Sequence, residues 1–132
     1  MNEVVEKFAE ALDKNEFEVV ASLLSANCEY FISGKLITGA EQIVNSYKSA
    51  DSWAQKTFDS VEYESVVDGN QVTFIDHISH KGYAHTHRCV QVICLDNDNL
   101  IFKIEHHELD GEKELVDEFF TKVGVSRREE TQ

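Results

Sequence analysis

Between residues 57 and 109 the chain divides into four stretches of alternating apolar and polar side chains, joined by links too short to hold a helix. The stretches run from Thr57 to Val67, Gln71 to Lys81, Ala84 to Leu95 and Leu100 to Leu109. Their connections are Asp68-Gly69-Asn70, Gly82-Tyr83 and Asp96-Asn97-Asp98-Asn99, all rich in turn formers. A parallel pair needs a crossover of about a dozen residues, so these strands must pair antiparallel as a meander.

The rest of the chain reads as helices and one short hairpin. Val4, Val5, Phe8, Ala11 and Leu12 recur at helical spacing over residues 3–13. A second helix carries Phe17, Val20, Leu23 and Leu24 to about Ala26, with Asn15 placed to cap it. Two short strands follow about Ser33-Gly34-Lys35, the first beginning at Cys28 and the second covering Leu36-Ile37-Thr38. A third helix starts near Gly39-Ala40, and a last one lies between Gly111 and Gly124 with Leu115, Val116, Phe119, Phe120 and Val123 on its apolar face. Helices first and a meander second make an α+β domain over residues 1–125: a curved antiparallel sheet of four long strands plus a short N-terminal hairpin, wrapped around three N-terminal helices as a cone, with a C-terminal helix. Residues 126–132 are polar and are expected to form a disordered tail.

Composition narrows the function classes. The 132 residues carry 25 Asp and Glu against 12 Lys and Arg, a formal net charge of -13, which argues against nucleic-acid binding and against docking on anionic membranes. No proline is present, so Pro-rich linkers and recognition segments are excluded. Cys28, Cys89 and Cys94 form no CxxC and cannot all pair, and residues 1–12 lack the apolar core of a secretory signal. No apolar run approaches the ~18 residues of a membrane span. These features point to a cytoplasmic protein with reduced thiols.

The two opening helices, Ile32-Ser33-Gly34 leading to Gly39-Ala40-Glu41-Gln42-Ile43, and Leu95-Asp96-Asn97-Asp98-Asn99-Leu100-Ile101 at the final hairpin resemble the nuclear transport factor 2-like superfamily, most closely its SnoaL-like and ketosteroid isomerase-like branch. Family members often carry Asp-Gly-Lys-Ile at that hairpin, and Asn99 stands where the glycine would be. The resemblance implies a cone-shaped pocket for a small molecule and a homodimer. The superfamily hosts isomerases, cyclases, dehydratases and non-catalytic modules, so it does not select an activity.

Alternation chooses the residues facing the pocket. Val72, Phe74 and Ile78 share a face that carries Asp76, and Leu100, Phe102 and Ile104 share one that carries His106 and Glu108. On the third long strand the phase stays open: Arg88 with Val90 and Val92, or His85, His87, Cys89 and Gln91 with Ile93, or a mid-strand bulge that puts His87 and Val90 on the same side. Asp76 reads either as a general acid or base with a raised pKa or as a structural partner of Arg88, and His106 as its companion in proton exchange or as a wall residue. Tyr30, Tyr47 and Trp53 are placed at the helical side of the mouth, and Phe74, Arg88, Phe102 and Ile104 complete the candidate ligand-binding set. Val61, Tyr63, Thr73, Ile75 and Ile101 are assigned to the outer face, through which two copies would pair.

All six histidines lie between His77 and His107, and His85 and His87 point the same way on a strand. Gln91 and Val92 stand where a cupin-like site needs a glutamate, and HExxH is missing, so no metal ligand is assigned and a His-ligated metal site stays a minor alternative. No phosphate-binding glycine loop or nucleophile elbow is found, so no cofactor and no nucleophilic catalysis are expected. The expected partner is a small, largely apolar molecule handled by acid–base chemistry. The alternative is a non-catalytic homodimeric interaction module.

Overall fold

A computed structural model describes residues 2–127. Helix α1 (Glu3–Asp13) starts on Asn2, whose side-chain oxygen accepts from the N–H of Val4 at 3.0 Å and of Val5 at 3.3 Å. Two donors that a helix start leaves orphaned are thereby satisfied. Asn2→Ala is expected to cost about 1 kcal/mol, read as a lower urea midpoint; an unchanged midpoint would show that the cap contributes nothing. The apolar stripe of α1 buries Val5, Phe8, Ala9 and Ala11.

Helix α2 (Phe17–Leu23) is shorter than its periodicity predicts, and Asn15 does not cap it. Asn15 instead takes the left-handed conformation, φ 57°, in the turn before it. Strand β1 (Leu24–Ile32) begins at Leu24, four residues before Cys28, because Leu24 pairs with Ile101 and is drawn into the core. Tertiary pairing overrides local helix propensity here. β2 (Lys35–Thr38) completes the hairpin. Gly39, at φ +99°, then turns the chain into α3 (Ala40–Thr57), and its N–H donates to the Cys28 carbonyl at 2.8 Å.

The meander forms as the links dictate: β3 (Ser60–Asp68), β4 (Gln71–His80), β5 (Tyr83–Leu95) and β6 (Ile101–Glu108), each antiparallel to the next. The sheet order is β2-β1-β6-β5-β4-β3, curved and not closed. One pair departs from the antiparallel expectation. β1 runs parallel to β6, which the long path between them permits. At the β5–β6 turn Asn99 takes φ 61°, and the Asp96 carboxylate accepts from the N–H groups of Asp98 and Leu100.

A register shift at Cys94/Leu95 resets the phase of β6. Cys94 faces Lys103 and Leu95 faces Ile101, so Phe102 is the extra residue of a bulge. Ile101 and Ile104 therefore both point inward with no exposure, and Phe102 is 42% exposed. The grouping of Leu100, Phe102 and Ile104 on one face is corrected accordingly. The outer-face assignment of Ile101 fails for the same reason. Val61 and Tyr63 also turn inward, because Val61 opposes Ile78 and Tyr63 opposes Asp76, and directly opposed residues share a face. Of the five outer residues expected, Thr73 and Ile75 keep that side.

The first apolar cluster joins α1, α2 and α3 to the sheet through Phe8, Ile43, Ile93, Ile101 and Ile104. The second is built where α4 (Glu112–Val123) lies down: Val116, Phe119, Phe120 and Val123 pack on Phe58 and Ile78, with Trp53 beside them. Gly124, in the left-handed conformation at φ 74°, ends α4. Of the tail expected to be disordered, 128–132 lie outside the described residues. Arg127 is described: its guanidinium pairs with the Asp117 carboxylate and lies 5.8 Å from the Phe120 ring centre. Among the described residues no helix is long and apolar enough to cross a membrane.

Candidate functional site

Between the sheet and the helices runs a cavity of about 800 Å³. β4 contributes Phe74, Asp76 and Ile78, as alternation predicts, and β6 contributes His106 and Glu108. The open phase of β5 resolves to the odd-numbered face. Its register against β4 is unbroken from Gln71↔Val92 to His80↔Tyr83, so His87, Cys89 and Gln91 line the cavity. Arg88 points the other way, opposite Ile75, and is exposed. It is neither a cavity residue nor the ion partner of Asp76; its backbone N–H donates to Glu112 Oε1 at 3.0 Å. Ile104 sits in the first apolar cluster and Phe102 outside on its bulge, so neither lines the cavity. Tyr30, Tyr47, Trp53 and Phe74 do.

Asp76 is opposed by Tyr63 on β3 and His87 on β5. Burial, reinforced by the nearby Asp13 carboxylate, pushes its pKa up to about 6, while His77 and His106 pull in the opposite direction. Asp13, at the end of α1, is raised by burial too; its Oδ2 accepts from the Ser65 hydroxyl at 2.6 Å and its Oδ1 has no partner. Tyr63 donates to Asp51 Oδ1 at 2.7 Å. Asp13, Asp51 and Tyr63 thus belong to this wall although nothing in their local sequence marks them. Only the opposition of Tyr63 to Asp76, inferable from the shared strand register, could have found one of them.

A second polar group is centred on Gln91. Tyr47 donates its hydroxyl proton to Gln91 Oε1 at 3.0 Å, and Gln91 Nε2 donates to the Tyr30 oxygen at 3.1 Å and faces His106 Nδ1 at 3.3 Å. The two tyrosine rings stack with centres 5.4 Å apart, and burial raises both phenol pKa values. On the far side His106 Nε2 lies 3.6 Å from Glu108 Oε1, and this contact holds the Glu108 carboxyl below its ordinary value. His87 lies between Glu108 and Glu112, at 3.9 Å and 3.6 Å, with its pKa lowered by burial. Burial also pushes the Cys89 thiol up, leaving a protonated sulfur rather than a nucleophile.

The remaining histidines disperse. His77 pairs with Glu64 and His80 accepts from the Asp59 N–H at 3.2 Å, while His85 stacks on Phe119. Among the described residues no group of three or more His, Cys, Asp or Glu side chains is arranged to hold a metal ion.

Neither a protein-family model nor a curated protein sequence matches the chain. Solved structures do. A hypothetical protein with a ketosteroid isomerase-like fold from Catenulispora acidiphila, crystallised with trimethylamine, is similar at a TM-score of 0.61 with 16% identity, covering 94% of each chain. An NTF2-like protein of unknown function from Exiguobacterium is similar at 0.59 with 13% identity, over 81% of this chain and 98% of that one. A de novo designed protein with a curved β-sheet reaches 0.57 with 19% identity, over 92% and 98%. The fold is therefore the nuclear transport factor 2-like cone. These likenesses show the fold alone, so activity has to be argued from side chains.

Proposed function

We propose that the cavity binds a small, largely apolar molecule and that Asp76 exchanges a proton with it, without a cofactor. The observation that carries this reading is a half-buried carboxylate with a pKa of about 6 on an apolar wall that also presents His106 and two tyrosines. At neutral pH such a carboxylate is ionised yet poorly solvated, the condition of an effective general base. Proton removal beside a carbonyl would place negative charge on the carbonyl oxygen, which the phenol and imidazole groups can meet with hydrogen bonds. Return of the proton to another atom completes an isomerisation, and loss of a hydroxyl completes a dehydration. Trimethylamine in the Catenulispora protein supports the small-molecule side of the reading.

The test is α-proton exchange in D2O with a panel of cyclic ketones. Wild-type protein is expected to accelerate exchange of at least one ketone, with the rate rising through about pH 6, and Asp76→Asn to lose roughly 10²–10⁴-fold of it. Saturable quenching of Trp53 emission with no accelerated exchange would favour the non-catalytic binding module. Neither binding nor exchange would overturn both readings.

A further inference from the structure

Among the described residues Gln91 is the buried polar side chain, 3% exposed, and all three of its neighbours can both donate and accept. Their present arrangement fixes every proton. Tyr47 spends its proton on Oε1; Nε2 spends one on the Tyr30 oxygen and the other on His106 Nδ1. His106 Nδ1 is therefore a lone pair, and the neutral ring carries its proton on Nε2, facing Glu108. The Tyr30 oxygen accepts from Gln91 and also shares a hydrogen bond with the Tyr47 hydroxyl.

The two ends of a primary amide have nearly the same shape, so a half-turn of the amide is sterically cheap. After that turn Oε1 accepts from Tyr30 and from a proton on His106 Nδ1, while Nε2 donates to the Tyr47 oxygen. The Tyr47 proton leaves Oε1 for its hydrogen bond with the Tyr30 oxygen, and the Tyr30 proton is taken by Oε1. We propose that Gln91 is a positioning residue with two working orientations, the first holding neutral His106 as its Nε2–H tautomer and the second accepting Nδ1–H when His106 takes up a proton. One proton enters at Nδ1 and no other is gained or lost. A methionine or leucine in this position would leave His106 Nδ1 and both hydroxyls without that shared partner, which makes an ambivalent amide the residue the site requires.

The groups that set this equilibrium come from several elements: Glu108 on the same strand, His87 on β5, Asp76 on β4, Tyr30 on β1 and Tyr47 on α3, with Arg127 acting on Glu108 and His87. Its use in turnover rests on the acid–base reading above, but its test does not. In ligand-free protein, ring 15N shifts of His106 are followed across pH in wild type and in Gln91→Glu. Wild type is expected to show the Nε2–H tautomer above the His106 midpoint. The glutamate variant, which can only accept when ionised, is expected to move the neutral ring to Nδ1–H and raise the midpoint by roughly 1–3 units. A wild-type Nδ1–H tautomer, or a Gln91→Glu protein with unchanged tautomer and midpoint, would overturn the proposal. If Gln91→Glu does not fold, the wild-type tautomer decides alone. A failed ketone-exchange assay with the expected tautomers would reject the enzyme reading and leave the Gln91 arrangement standing.

Discussion

Asp76→Asn is expected to make the protein more stable above pH 7 while removing proton exchange at the cavity wall. The carboxyl titrates at about 6 in the fold against an ordinary value of 3.8, so the native state holds its proton more tightly than the unfolded chain. Its contribution to stability is therefore complete below about pH 4 and is lost as pH rises through 6. A difference of about two units corresponds to about 3 kcal/mol at pH 8. Asparagine keeps the shape and carries no charge to desolvate. Guanidinium melts should show a gain of about 2–3 kcal/mol at pH 8 that disappears near pH 4. No gain at pH 8, or an equal gain at both, would mean that the ionised Asp76 carboxylate is not costly. A residue that lowers stability where it is charged is a candidate for selection by function, the usual form of the stability–activity trade.

The second large effect is structural. Phe58 links α4 to the rest of the protein, with ring centres 5.4 Å from Trp53, 5.8 Å from Phe120 and 6.1 Å from Phe119. Phe58→Ala is expected to cost about 3–5 kcal/mol, the transfer loss plus the void left among rings that cannot collapse together. The damage should be local first. Amide exchange in α4 should accelerate and Trp53 emission shift to the red, while α1, held in the other cluster by Phe8, stays protected. Leu115→Ala, at a position 51% exposed on the same helix, should change stability by less than about 0.5 kcal/mol. Equal exchange in α4 for Phe58→Ala and wild type would show that this cluster does not hold the helix.

The architecture was legible because it rests on local signals, helical spacing and short turn-forming links. Asp76, His106 and Glu108 were also legible, since period-two alternation within a single strand decides a face. What failed was information carried between strands. Phe102 was misplaced because one extra residue reverses every side chain before it, and nothing in Leu100-Ile101-Phe102-Lys103 announces a bulge. Val61 and Tyr63 were misplaced although placing Asp76 inward already dictated their side, an inference that needs the register of β3 on β4. Arg88 was attractive as a counter-charge for Asp76, yet the two are neighbours in neither register nor face. Gln91 was seen on the correct alternative face without its role, because that role arises only when β1, α3, β5 and β6 converge.

The parallel pairing of β1 with β6 sets the order in which the molecule can be completed. Leu24 meets Ile101, 77 positions later by subtraction, and Tyr30 meets Ile104. No N-terminal segment ending before residue 101 contains the strand with which β1 pairs in parallel. Closure of so long a loop places this fold among slower, non-local topologies rather than fast helical ones. During synthesis the parallel edge of β1, with Leu24 and Tyr30, must wait for the sixth strand to emerge, and in that interval the acidic outer surfaces of the helices are the chain's own protection against self-association.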